Sequence, residues 1–307
     1  MNQAKIAVVG SLNMDLVARA PHMPQAGETI LGGDLHTLPG GKGANQAVAA
    51  ARLGSQVSMI GRVGEDTFAQ PLLENLAQAG VNHTFVTEDP AAATGVALII
   101  VDDAGQNMIV VTSGANMRLS PADVEAAEEV IANAKVLLLQ LESPLETVIR
   151  AAELARKHHV TVILNPAPAQ PLPSSLLSLV DILVPNESET SLLTSLPVEN
   201  DVQAQHAAQV LRQKGVQTVI LTLGERGALL VDEQRTERVP AYPVTPVDTT
   251  AAGDAFIGGF ATALAAGCPM QEAIRWGNAA GGLATTKLGA QPSLPTREEV
   301  EAMVGER

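Results

Sequence analysis

The sequence predicts an α/β protein: a three-layer α/β/α sandwich with a mostly parallel central sheet plus a small β-sheet lid. The sandwich rests on two observations. Short β-rich runs at residues 6–9, 57–60, 136–139, 160–164, 182–184 and 219–223 alternate with stretches at 45–53, 71–79, 121–133, 144–157 and 202–214, where apolar residues recur every three or four positions. Polar residues then follow the strand ends, where such sheets collect ligands: Asn13 and Asp15, Gln140 and Glu142, Asn165, Asn186 and Glu189, and Thr222 with Gly224.

The lid is predicted from what interrupts the alternation. Residues 16–38 hold short β-like runs broken by Pro21, Pro24 and Gly27, and residues 95–112 read as a hairpin turning near Asp103-Ala104-Gly105. Both hairpin arms, 96–101 and 108–111, are apolar on the two faces, so the hairpin needs a second cover. A lid over the site, a partner subunit, or packing at the edge of the main sheet would each supply one. The organisation expected is a single domain over 1–307 with a lid at about 16–38 and 95–112 inserted in it; residues 166–173 are proline-rich but too short for an interdomain linker.

Composition narrows the partners. A net charge of −14 with no run of Lys or Arg argues against nucleic acid and anionic membranes, and a single Trp276 and single Tyr242 leave little for base stacking. Hydrophobic residues make up 46% of the chain, yet no apolar run nears the roughly 20 residues that span a bilayer. The apolar stretch after Met1-Asn2-Gln3-Ala4-Lys5 is too short for a secretion signal, so a cytoplasmic location is expected. Cys268 is the only cysteine, which leaves no internal disulfide and no multi-thiolate metal site. His22, His36, His83, His158, His159 and His206 show no ligand spacing.

Two helix entries carry the chemistry. In Pro246-Val247-Asp248-Thr249-Thr250-Ala251-Ala252-Gly253-Asp254-Ala255-Phe256, small residues let the backbone approach a ligand, and the free amides of a first helical turn suit an anion. Asp254 in that turn reads either as a base for a substrate hydroxyl or as a complement to the helix dipole. In Pro39-Gly40-Gly41-Lys42-Gly43-Ala44-Asn45-Gln46, glycines again open a helix, with Lys42 and Asn45 adding donors. It is not a P-loop, since Gly43 stands where Ser or Thr is needed, and Gln46 spoils a dinucleotide fingerprint.

Together these stretches resemble the two signatures of the ribokinase-type (PfkB-type) sugar kinases. The resemblance extends through Gly10-Ser11-Leu12-Asn13-Met14-Asp15, Leu139-Gln140-Leu141-Glu142, Asn165-Pro166-Ala167-Pro168, Pro185-Asn186-Glu187-Ser188-Glu189, Thr222-Leu223-Gly224 and Gly289-Ala290-Gln291-Pro292-Ser293, and so covers almost the whole chain. Ala251 departs from it, standing where many members have glycine.

The resemblance implies ATP-dependent phosphorylation of the 5-hydroxyl of D-ribose, with Asp254 as base and the amides of Ala251, Ala252 and Gly253 as anion hole. It implies a sugar site of Asn13, Asp15, Gly41, Lys42, Gly43, Ala44, Asn45, Glu142 and Asp254. The nucleotide would lie against Asn186, Thr222, Leu223, Gly224, Glu225, Arg226, Gly227, Gly253 and Asn278. Glu189 would organise Mg²⁺ through water, although Asn186 and Glu189 also have the spacing of a helix capping box. A K⁺ site would use Asp248 and Ser293 with carbonyls of Thr250, Ala284, Lys287 and Gly289; Asp248 reads equally as a turn cap. A homodimer through the lid sheets is expected. Other acceptors stay open, namely deoxyribose, another sugar or a nucleoside, as does a non-catalytic sugar or nucleotide sensor on the same scaffold.

Overall fold

The computed structural model describes residues 4–305, so the start at Met1-Asn2-Gln3 on which the signal reading partly rests lies outside the described residues. The chain opens with β1 (Lys5–Val9), leaves the body as β2 (Asn13–Ala20) and β3 (Leu35–Gly40), and returns through α1 (Lys42–Arg52) to β4 (Gln56–Gly64), α2 (Ala69–Gln78) and β5 (Asn82–Asp89). It departs again as β6 (Gly95–Asp102) and β7 (Asn107–Thr112), then continues through α3 (Pro121–Ala126), α4 (Glu128–Ala132), β8 (Val136–Leu139), α5 (Leu145–Lys157) and β9 (Thr161–Leu164). Next come α6 (Ser174–Leu177), β10 (Ile182–Leu183), α7 (Glu187–Thr194), α8 (Asp201–Gln213) and β11 (Thr218–Thr222). The pair β12 (Ala228–Val231) and β13 (Thr236–Val239) precedes α9 (Ala252–Ala265), α10 (Met270–Ala284) and α11 (Arg297–Gly305).

Nine strands form the central sheet in the order β13-β12-β11-β10-β9-β8-β1-β4-β5. All neighbours are parallel except β11–β12 and β12–β13. Because successive strand residues point to opposite faces, Val136 and Leu138 enter the core covered by α1, α2, α9, α10 and α11, while Leu137 and Leu139 enter the one covered by α3, α4, α5, α6 and α8. That is the predicted sandwich. The chain winds outward from β1 to β5, then restarts at β8 on the other side of β1. The crevice at the carboxyl ends of β1 and β8 is therefore the switch point at which parallel sheets bind ligands.

The small sheet is separate, ordered β3-β2-β6-β7, so the hairpin does not pack as an edge of the main sheet. The predicted helix at 121–133 is two helices, broken at Ala127 where the backbone leaves helical geometry (φ −98°, ψ 10°). The α1 entry presses hard on the end of β1: a Cβ at Gly43 would lie 2.6 Å from the Ser11 amide nitrogen, which explains the glycine. The polar first turn of α1 is thereby delivered to the switch point.

Candidate active site

Helix α9 begins after Ala251, which takes a left-handed conformation (φ 58°, ψ 10°). This costs an alanine about 1–2 kcal/mol and a glycine nothing, which is the physical reason glycine suits the position. The Ala252 amide donates to the Thr249 carbonyl at 3.2 Å, whereas those of Ala251, Gly253 and Asp254 have no acceptor among the described residues. Ala251, Ala252 and Gly253 line a cleft of about 210 Å³ shared with Lys42, Asn165, Asn186, Glu189, Thr222 and Asp254.

Asp254 is buried at the inner end of this cleft, only 6% exposed. Its Oδ2 accepts from Asn45 Nδ2 at 2.9 Å and its Oδ1 from Gln46 Nε2 at 3.0 Å. Gln46 Oε1 in turn accepts from Gln140 Nε2 at 2.6 Å, and Asn165, at the end of β9, donates to the Val184 carbonyl at 3.1 Å. The carboxylate is thus aimed by amides from α1 that are themselves held from the end of β8. Burial pushes the Asp254 pKa up; the Lys42 charge and the Asn45 and Gln46 amides oppose this without cancelling it, and Glu142 adds to it. Burial pulls Lys42 down, but Asp254, Glu142 and Glu189 together leave it raised, hence fully cationic at neutral pH. A carboxylate so placed, beside free amides and a fixed cation, can take a proton from a hydroxyl while negative charge grows next to it.

Gln46 is a site residue that the sequence reading used only to reject a dinucleotide fingerprint. A fully buried amide side chain in an otherwise small and apolar helix face needs a polar partner, but both its burial and that partner are set by the fold and not by the local sequence.

On the other side of Asp254, β2 brings Asn13 and Asp15, and the end of β8 brings Glu142. Glu142 Oε2 accepts from the Ser11 hydroxyl at 2.5 Å and from the Lys42 amide at 3.1 Å. Asn13 Oδ1 accepts from Asn116 Nδ2 at 2.7 Å. Asp15, 8% exposed, is pushed from 3.8 to about 7 by burial first and then by the charges of Glu142 and Asp254. A carboxylate raised in the fold contributes stability below pH 3.8 that is lost as pH climbs through about 7. Asp15→Asn is therefore expected to stabilise the protein at pH 8 by a few kcal/mol and hardly at all at pH 4, roughly the linkage for a shift of this size. Urea unfolding of both proteins at the two pH values checks this; an equal change at both would refute it.

On the outer side, Asn186 and Glu189 form the capping box of α7: Asn186 Oδ1 accepts from the Glu189 amide at 2.8 Å, and Glu189 Oε2 from the Asn186 amide at 2.8 Å. Both also line the cleft. Burial raises the Glu189 pKa, against the Asn186 amide and Lys42. Leu223 is buried and Gly224 and Glu225 are exposed in the loop after β11. Arg226 in that loop is paired to Glu187 at 2.5 Å and Asp201 at 2.8 Å. Gly227 has φ 89°. Asn278 is buried on α10 and donates to the carbonyls of Val239 and Pro240 at 3.0 and 3.2 Å, so both its donor contacts anchor the end of β13.

Asp248 holds two loops together: Oδ1 accepts from the Thr250 amide and hydroxyl at 2.9 and 2.6 Å, and Oδ2 from the Gly289 amide at 2.8 Å. These bonds keep its pKa low despite burial, which by itself would raise it. Ser293 is buried, its hydroxyl donating to the Ala290 carbonyl at 2.7 Å; the Lys287 ammonium pairs with Glu299 at 2.7 Å, and Ala284 O accepts from the Lys287 amide at 3.5 Å. The Asp248 bonds tie the loop before α9 to the loop after α10.

A mostly parallel α/β sandwich whose switch point carries a buried carboxylate at a helix N-terminus, beside free amides and a fixed cation, is the arrangement of a small-molecule phosphotransferase. The chain belongs to the pfkB family of carbohydrate kinases, whose sequence pattern matches residues 3–297. It is 45% identical over 294 residues to a ribokinase of Haemophilus influenzae, covering 96% of each chain. It is 41% identical over 295 residues to a deoxyribokinase of Salmonella typhi, again covering 96% of each. A solved structure of Arabidopsis thaliana ribokinase complexed with ribose and ATP superposes with a TM-score of 0.92 at 36% identity, covering 98% of this chain and 99% of that one.

Proposed function

We propose that this kinase transfers the γ-phosphoryl group of ATP to O5 of D-ribose, giving D-ribose 5-phosphate. One observation carries the reading: Asp254 lines a cleft with Lys42, Asn186, Glu189 and Thr222 beside unpartnered amides, and is close enough to Asp15 and Glu142 for their charges to act on one another. The sugar sits among Asn13, Asp15, Gly41, Lys42, Gly43, Ala44, Asn45 and Glu142. Neighbouring carboxylates and amides match vicinal hydroxyls, each of which both donates and accepts. Asp254 takes the O5 proton, and the amides of the α9 entry stabilise the charge on the transferring group. Thr222 through Gly227 border the nucleotide, with Asn278 behind it. Mg²⁺ arriving with ATP would be held through water near Glu189 and neutralise phosphate charge; K⁺ would lie at Asp248 and Ser293 with the Thr250, Ala284, Lys287 and Gly289 carbonyls, adding positive field beside the α9 entry.

The deoxyribokinase relative supports 2-deoxyribose as the second acceptor to be tested. Asn13, whose amide can meet a 2-hydroxyl, favours ribose. Coupled ADP-release assays with ribose, 2-deoxyribose, other pentoses, a ketohexose and a nucleoside decide the acceptor. No turnover with any of them would leave a sensor as the surviving reading.

Cytoplasmic location fits a chain in which, among the described residues, no helix is long and apolar enough to cross a membrane. A homodimer through the lid is the reading of its exposed apolar strands: Leu98, Met108 and Val110 share one face and are 47–55% exposed. Sedimentation of the wild-type protein at micromolar concentration is expected to give a dimer, and Val110→Glu a monomer. A wild-type monomer would end this reading.

A further inference from the structure

We propose that Asn116 is a positioning residue that sets which end of the Asn13 amide faces the sugar. Asn116 is 1% exposed and sits in the 3-10 turn Gly114–Arg118, where the chain leaves the lid. Its Oδ1 accepts from the Leu12 amide at 2.9 Å and its Nδ2 donates to the Leu12 carbonyl at 3.0 Å. Because a backbone donor and a backbone acceptor grip its two ends, Asn116 cannot be turned over without losing both bonds. The remaining proton on Nδ2 goes to Asn13 Oδ1 at 2.7 Å. Asn13 is thereby held with its oxygen inward, and its Nδ2, which has no partner among the described residues, is left to the pocket.

This inference rests on the reading of Asn13 as a contact to the sugar 2-hydroxyl. The pocket otherwise holds the carboxyl groups of Asp15 and Glu142, which, once ionised, take the single proton of any hydroxyl they meet. A hydroxyl that has donated to a carboxylate needs a donor on its other side, and the fixed Asn13 amide supplies it. Turned round, Asn13 would present a second acceptor to the same oxygen, and the two would repel.

Asn116→Asp keeps an acceptor for the Leu12 amide but loses the donors to the Leu12 carbonyl and to Asn13, whose amide then turns its NH₂ inward. We expect the KM for ribose to rise about tenfold or more with kcat changed less than about threefold, and the KM for 2-deoxyribose to stay within about twofold. Asn116→Ala, which lets Asn13 rotate, should show the same selectivity for ribose at smaller size and serves if the buried carboxylate prevents folding, as read by thermal melting. An unchanged ribose KM, or an equal rise for both sugars as a merely structural role would give, overturns the proposal. Failure of the wild-type enzyme to phosphorylate ribose would instead overturn the functional reading beneath it.

Discussion

Asp254→Asn is expected to lower turnover by about 10²–10⁴ or more while sugar affinity stays within several-fold. The substitution is unusually clean here. Both bonds to Asp254 come from amide donors, so an asparagine at 254 would face one of them with its own NH₂. Asn45 Oδ1 is buried without a partner, so a rotation of the Asn45 amide supplies the acceptor and restores both bonds. What is lost is the proton acceptor, not the architecture. Steady-state kcat together with calorimetric binding of the sugar separates the two, and near-normal turnover would remove the base from the mechanism.

Lys42→Met keeps the stem and removes the cation that faces Asp254, Glu142 and Glu189. A loss in kcat/KM of about 10²-fold or more is expected, the scale seen when a positioned charge beside the reacting centre is removed. The pH profile carries the sharper test. Burial raises the Asp254 pKa and Lys42 is the largest influence holding it down, so without Lys42 it rises further. The base works ionised, so the acid limb of kcat must move to higher pH in the variant. A limb that stays in place or moves to lower pH would separate Lys42 from Asp254.

Much of this was legible from the chain because the main sheet is built of runs buried on both faces, and such runs stand out by composition. The strands β5, β12 and β13 escaped: β5 is a largely polar edge strand, β13 a mostly exposed one, and β12 and β13 join the sheet as an antiparallel hairpin that the alternation of strand and helix does not announce. The site was legible where it lies on helix entries, since glycines and small residues mark Lys42, Asn45 and Asp254 in sequence. It was not legible at Ser11, Gln46 and Asn116. Their partners are Glu142, Asp254 and Asn13, between 103 and 208 positions away, and nothing local to a buried amide says which distant group will meet it. At Asn186 and Glu189 two readings of one spacing both hold, because the capping box builds the helix end that the cleft uses.

Strand β7 lies at the end of its four-strand sheet, and all six of its residues are exposed, four of them Met108-Ile109-Val110-Val111 in succession. An uncharged, unpaired edge of this kind offers its free backbone groups to any similar ribbon it meets. Recovery from denaturant should consequently depend on dilution, with soluble yield dropping as chains are returned to buffer at higher concentration, and a lysine placed at Ile109 should relieve the loss.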